Sequence, residues 1–238
     1  MLTQYAFSIL FIDKKKAKFS NDRFGIKHWI MYSLEDVNKC RDVIIRILRG
    51  TQREGIENVL AYMDENGFYS AAASCKFHNN FYGGLAKHSL EVFWEADELW
   101  LKLENNDEKI IQESIKITAF LHDICKIDAY PCELGHNPYF NHKVNIKYHG
   151  KKSIDILTSL GLKLNECERE AIRWHMGRFT DACNLNENEA TFHYVKIAID
   201  NPLAGIIMAA DSNASAQALG KKRRYDTYDD FVRNIQNE

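Results

Sequence analysis

The chain has 238 residues, a formal net charge of −2 and 45% hydrophobic side chains. That length suits one large domain, or one domain with a small appendage, and that apolar content excludes a disordered chain. The near-neutral balance excludes binding to long duplex nucleic acid through overall charge, although Lys14-Lys15-Lys16 and Lys221-Lys222-Arg223-Arg224 form local basic clusters. Six cysteines stand at 40, 75, 125, 132, 167 and 183, none of them in a C-x-x-C pair. A zinc ribbon is therefore not expected, and a chain of this length needs no disulfides, so reduced thiols and a cytoplasmic setting are expected. No apolar run reaches the length of a membrane span, and no membrane partner is expected. The N-terminal stretch MLTQYAFSILFIDKKK carries its charges after its apolar run. A signal peptide has the reverse order, so export is not expected.

In chain order, the first 32 residues differ from the rest. YAFSILFI and FGIKHWIMY are rich in aromatic and β-branched residues, with Asn21-Asp22 between them as a turn. They read as a small hairpin or sheet, an N-terminal β-rich appendage over 1–32 ahead of a helical domain over 33–238. Ser33 with Asp36 three residues on has the form of a capping box opening a long helix. Five further helices carry the polar residues of interest. They run from about Leu85 to Leu103, Glu108 to Lys126, Asn145 to a Gly161 cap, Asn165 to Met176, and onward from Asn201-Pro202. A long loop from about Asp128 to Val144 holds two of the three prolines, with His136 and His142, and is a candidate lid or specificity loop. The fold class is mainly α, a helical bundle with a small N-terminal β hairpin or sheet.

Steps of three and four along each helix mark the face that should be buried. The first gives His88, Val92, Glu95 or Ala96, and Leu99. The second gives Ile111, Ile115, Thr118 and His122, and the third His149, Ser153, Ile156 and Leu160. The fourth gives Ala171, Ile172 and His175, and the last Ala204, Ile207 or Met208, Asp211 and Ser215. Five helices thus aim a histidine or aspartate inward. A buried carboxylate without partners costs several kcal/mol, as an order of magnitude, or neutralises. Convergence on a metal ion resolves that cost, because the ion replaces the lost hydration. Imidazole and carboxylate suit zinc, iron, manganese and similar ions, and the absence of cysteine disfavours a structural zinc site.

His88, then His122-Asp123 in HDICKI, then a distant Asp211, resemble the HD-domain superfamily of metal-dependent phosphohydrolases. FHNNFYGGLAKHSLEV, residues 77 to 92, resembles the segment around the first metal histidine in the branch that contains 3′-5′ exoribonucleases. The likeness covers about residues 70 to 220. It implies an all-helical fold and hydrolysis of a phosphate ester or anhydride. Carried over, it makes His88, His122, Asp123 and Asp211 ligands of one ion. His149 and His175 become ligands of a second, with Asp123 bridging the two. One or two divalent transition-metal ions (Mn, Fe, Zn, Co or Ni) are then the cofactor. Met176 stands after His175, and WHMGRFTDA lacks a GYP motif, which argues against cyclic-di-GMP as substrate. The 32 residues ahead of the helices are too few for the OB-fold of the exoribonuclease branch. Cys125 stands where many members have glycine, and places a thiol beside the site.

The mechanism that follows needs no nucleophilic side chain. A metal-held water has its pKa lowered from about 15.7 toward about 7, and a second ion offsets charge on the phosphoryl oxygens. Asp123 and Lys126 are the expected catalytic residues. Lys126, four residues after His122, is expected on the same helix face, with its ammonium meeting a substrate phosphate. Arg178 and His78 are further candidates for substrate contact, ahead of Lys147, Lys151, Lys152 and Arg173. His28 and His193 read as structural. The expected substrate is a nucleotide or short oligonucleotide cleaved at a phosphate ester. The alternatives are a nucleoside-triphosphate or nucleoside-monophosphate hydrolase, and a non-catalytic, metal-stabilised nucleotide-binding module.

Overall fold

Ser33 opens the first helix, α1 (Leu34–Arg49), as expected. Its hydroxyl accepts from the Asp36 N–H at 3.1 Å, and the Asp36 carboxylate accepts from the Ser33 N–H at 3.2 Å. Val37, Cys40, Ile44 and Leu48 recur on one face of α1 and are all buried. A computed structural model of the chain describes residues 33–103, 112–179 and 187–236, with the backbone alone for residue 178 and residues 187–191. The chain divides into two units, Met1–Ile30 and Met31–Glu238, and the described residues belong to the second. The β hairpin expected before residue 33 lies outside them, as do Lys14-Lys15-Lys16, His28 and Cys183. Among the described residues there is no strand, and no helix is long and apolar enough to cross a membrane.

The remaining helices are α2 (Ile56–Glu65), α3 (Gly84–Leu101), α4 (Gln112–Leu121), α5 (His149–Ser159), α6 (Glu166–Trp174), α7 (Glu187–Asp200), α8 (Pro202–Ala218) and α9 (Tyr228–Gln236). Their caps follow the sequence. Gly161 takes φ +82 beyond α5, and the Leu162 N–H bonds the Leu157 carbonyl at 3.0 Å, closing a left-handed C-terminal cap. Asn165 and Glu168 form a capping box on α6. Asn201 caps α8 with Pro202 in its first turn.

Helix α8 is buried almost all round, through Leu203, Ala204, Ile206, Ile207, Ala209 and Ala210. It forms the axis of the bundle and packs against α3, α4, α6, α7 and α9. A helix that is apolar on every side belongs in a core, and small alanines let its neighbours approach.

Two expectations need correction. The helix expected from about Glu108 to Lys126 ends at Leu121; His122 and Asp123 form a turn, and Ile124–Ile127 a 3-10 helix. His122 N still bonds the Thr118 carbonyl at 3.0 Å, but Asp123 leaves helical geometry with φ −111 and ψ 16. On a continuous helix, neighbouring side chains point about 100° apart, so only one of the pair would face the core. Breaking the helix turns both inward. The stripe expected on the third of the site helices also shifts: Gly150, Ser153 and Leu157 are buried, whereas Ile156 and Leu160 are only partly so.

Candidate metal centre

His88 lies in the second turn of α3, Asp211 in the middle of α8, and both are buried. His88 Nε2 stands 3.1 Å from Asp211 Oδ1, out of line for a hydrogen bond, and 3.8 Å from Asp123 Oδ2. His122 Nε2 stands 3.2 Å from the same Asp123 oxygen. The other oxygen of Asp123, Oδ1, faces His175 Nε2 at 3.5 Å and His149 Nε2 at 3.8 Å. The two histidines are themselves 3.0 Å apart, Nε2 to Nε2. The ligand atoms of His88, His122 and Asp123 lie within 4.8 Å of one another, and so do those of Asp123, His149 and His175. Asp123 therefore stands between two donor groups, one oxygen toward each.

Local backbone fixes the rings. His122 Nδ1 donates to the Ala119 carbonyl at 2.9 Å, and His175 Nδ1 donates to the Ile172 carbonyl at 2.7 Å. In both, the carbonyl three residues back takes the Nδ1 proton and leaves Nε2 pointing into the centre. Gly150 brings His149 to His175. A Cβ there would stand 2.6 Å from the Ile172 carbonyl oxygen and 2.7 Å from that of Arg173, so only glycine lets α5 and α6 approach this closely.

The donors fit a cation. His88 Nδ1 and Nε2, His122 Nε2 and Asp123 Oδ1 are buried and have no hydrogen-bond partner. Each such group costs about 1–3 kcal/mol when left unsatisfied. Two imidazole lone pairs 3.0 Å apart, at His149 and His175, repel unless a proton or a cation lies between them. Imidazole and carboxylate donors with no thiolate match a divalent transition-metal ion.

Electrostatics separate the groups. Burial draws the pKa of His88 below its ordinary value. Burial and then the neighbouring His175 draw that of His149 down to about 3. His122 is also opposed by burial, but the nearby Asp123 and Asp211 charges raise its pKa. Asp211 is held below the carboxylate range by His88 despite its burial. Asp123 is held well below it, also against burial, by Lys126 and His122.

The six expected ligands therefore come together. The expected substrate contacts fall out differently. Lys126 lies on the 3-10 turn, not on a helix continuous with His122, and is nearly fully buried. Its Nζ sits 2.6 Å from Asp123 Oδ2, so it holds the carboxylate directly. Burial opposes its charge, but Asp123 and Asp211 raise its pKa and keep it an ammonium. His78 packs its ring against His88, with centroids 4.6 Å apart, and its buried Nε2 has no partner. Burial and then His88 draw its pKa down to about 3. The Arg178 side chain lies outside the described residues. Lys147, Lys151 and Arg173 are exposed, and Lys151 pairs with Asp155 at 2.6 Å. His136 and His142 are exposed in the long loop, His142 against Phe140.

In the basic run near the C-terminus, Arg223 is tied to acidic side chains. Arg223 bonds Glu95 at 2.8 Å and Glu98 at 2.7 Å, which straps the chain beyond α8 onto α3. The Cys125 thiol is buried, donates to the His149 carbonyl at 3.2 Å, and has its pKa pushed up to about 11 by burial and by Asp123. It packs the site as a small hydrophobe. Two structural contributors escaped the sequence reading, Gly150 and the buried Glu168. A glycine directly after a site histidine was the available signal for the first. Glu168 was hidden because its place three residues after Asn165 reads as a cap.

Neither a search of curated proteins nor a search of solved structures finds a match to this chain. A family model described as the HD domain matches residues 85–215, more than half of the chain. That stretch contains the donors on α3, α5, α6 and α8 and the His122-Asp123 turn. The chain belongs to the HD-domain family of metal-dependent phosphohydrolases.

Proposed function

We propose that the protein hydrolyses a phosphate ester in a nucleotide or short oligonucleotide, using two divalent ions. His88, His122, Asp123 and Asp211 hold one ion, and Asp123, His149 and His175 hold the other. The observation that carries this reading is the Asp123 carboxylate, with one oxygen toward His122 and His88 and the other toward His175 and His149. When bound, such ions lower the pKa of a water and offset charge on the phosphoryl group.

The chain's own residues do the rest. Asp123 orients both donor groups. Lys126 holds the Asp123 carboxylate with one ammonium proton and has others to offer a phosphoryl oxygen. His78 presents a buried nitrogen beside His88 for a substrate oxygen. Arg178, whose backbone lies in the 3-10 turn Gly177–Phe179, is a further phosphate-contact candidate from its charge and its place in the sequence near His175. The likeness of residues 77–92 to the exoribonuclease branch supports a nucleotide-based substrate.

The test is hydrolysis by manganese-loaded protein of short oligonucleotides, nucleoside triphosphates, nucleoside monophosphates and cyclic-di-GMP. Release of mononucleotides from the short oligonucleotides is expected. Cleavage of nucleoside mono- or triphosphates alone would make it a nucleotidase. No turnover of any of them, with manganese bound, would leave a nucleotide-binding module.

A further inference from the structure

Glu168 is a carboxylate with no solvent exposure. Arg53 meets it with two parallel bonds, Nη1 to Oε2 and Nη2 to Oε1, both 2.8 Å. Ser114 Oγ donates to Oε1 at 2.7 Å, and the Asn165 N–H donates to Oε2 at 2.9 Å. Arg53 is tied further to Glu113 at 3.0 Å and to the Lys163 carbonyl at 2.9 Å. It comes from the turn between α1 and α2, outside the stretch that the family model covers. A buried ion pair adds little net stability over apolar side chains of the same volume. Its value lies in where it holds the chain.

Ser114 lies on α4 and Glu168 on α6. Eight residues after Ser114 comes His122, and seven after Glu168 comes His175. The rings of those two histidines meet, with centroids 4.7 Å apart. The helices thus run side by side in the same direction, joined near their starts by the ion pair and near their ends by the metal centre. Seven residues are about two turns and about 10 Å of rise, and return to nearly the same face.

We infer that Arg53, Glu168 and Ser114 are positioning residues that set the register of α6 against α4, and so the spacing of His175 from Asp123 and His122. The inference rests on the two-ion reading. A slide or rotation of α6 would carry His175 Nε2 from its place 3.5 Å from Asp123 Oδ1. It would move His88, His122 and Asp211 less, because α6 carries none of them.

The test titrates Mn2+ into the full-length metal-free protein by calorimetry and follows its thermal midpoint. Wild type is compared with Ser114→Ala and with the apolar pair Arg53→Met/Glu168→Leu. The apolar pair, which also removes the α6 capping box, is expected to lower the midpoint yet keep the first Mn2+, and to bind the second at least about tenfold more weakly. Ser114→Ala leaves the ion pair in place and shifts the second Mn2+ in the same direction. Wild-type affinity for both ions in both variants would overturn the inference, and so would equal weakening of both ions. Wild type that takes a single Mn2+ would instead defeat the two-ion reading itself.

Discussion

Asp123 gives one oxygen to each half of the centre, and Lys126 holds it from beneath. Around it, each imidazole is turned by a backbone carbonyl or pressed by a neighbouring ring, so small changes here are felt by several donors at once. Cys125 is the exception among its neighbours. Its thiol is buried, hydrogen-bonded and raised to about 11, so the thiolate is scarce at neutral pH. Cys167 is exposed. Alkylation at pH 7.5 followed by mass spectrometry should label Cys167 at least about a hundredfold faster than Cys125. Comparable rates would mean that Cys125 is a reactive thiol beside the site.

At the scale of elements, the site depends on how closely helices meet. Gly150→Ala would press a methyl group onto the Ile172 and Arg173 carbonyls and force α5 from α6. Thermal unfolding should show a loss of about 1–3 kcal/mol, with weaker metal binding by the His149 and His175 half. Unchanged stability and metal affinity would show that the helices can part without consequence. The strap onto α3 gives a pH signature. Arg223 lowers the Glu98 pKa from 4.5 to about 2. A depressed folded-state pKa gives stability that is present above pH 4.5 and is lost as pH falls through about 2. Glu98 is nearly half exposed, so the contribution is at most about 1 kcal/mol. Glu98→Gln should therefore lower the thermal midpoint slightly at pH 7 and match wild type near pH 2. An equal deficit at both pH values would contradict this.

The elements also show what sequence periodicity reaches. The Ser33 and Asn201 caps and the Gly161 stop were legible because their chemistry is local. The inward faces of His88, His175 and Asp211 were legible from steps of three and four. The break at Leu121 was not, because periodicity assumes an unbroken helix, and here two adjacent polar residues must both turn inward. Lys126 was misplaced for the same reason. The Arg53–Glu168 and Arg223–Glu95 pairs join residues 115 and 128 positions apart, a relation that local pattern does not encode.

Across the whole molecule, α8 is the apolar axis, and the donors are delivered to one place beside it from α3, the turn after α4, α5 and α6. Residues outside the family-matched stretch serve that arrangement: α1 and α2 lead to Arg53, and the chain beyond α8 brings Arg223 to α3. The donor types were readable in the sequence and their division about Asp123 was implied by the family likeness; which carboxylate oxygen faces which histidines required the fold. The measurement that tests this most directly is metal content by elemental analysis, for wild type and Asp123→Ala, after exposure to manganese and removal of free ion. The account predicts about two ions per chain for wild type and about none for the variant, which keeps its helical circular dichroism. Two ions retained by folded Asp123→Ala, or none bound by wild type, would contradict it.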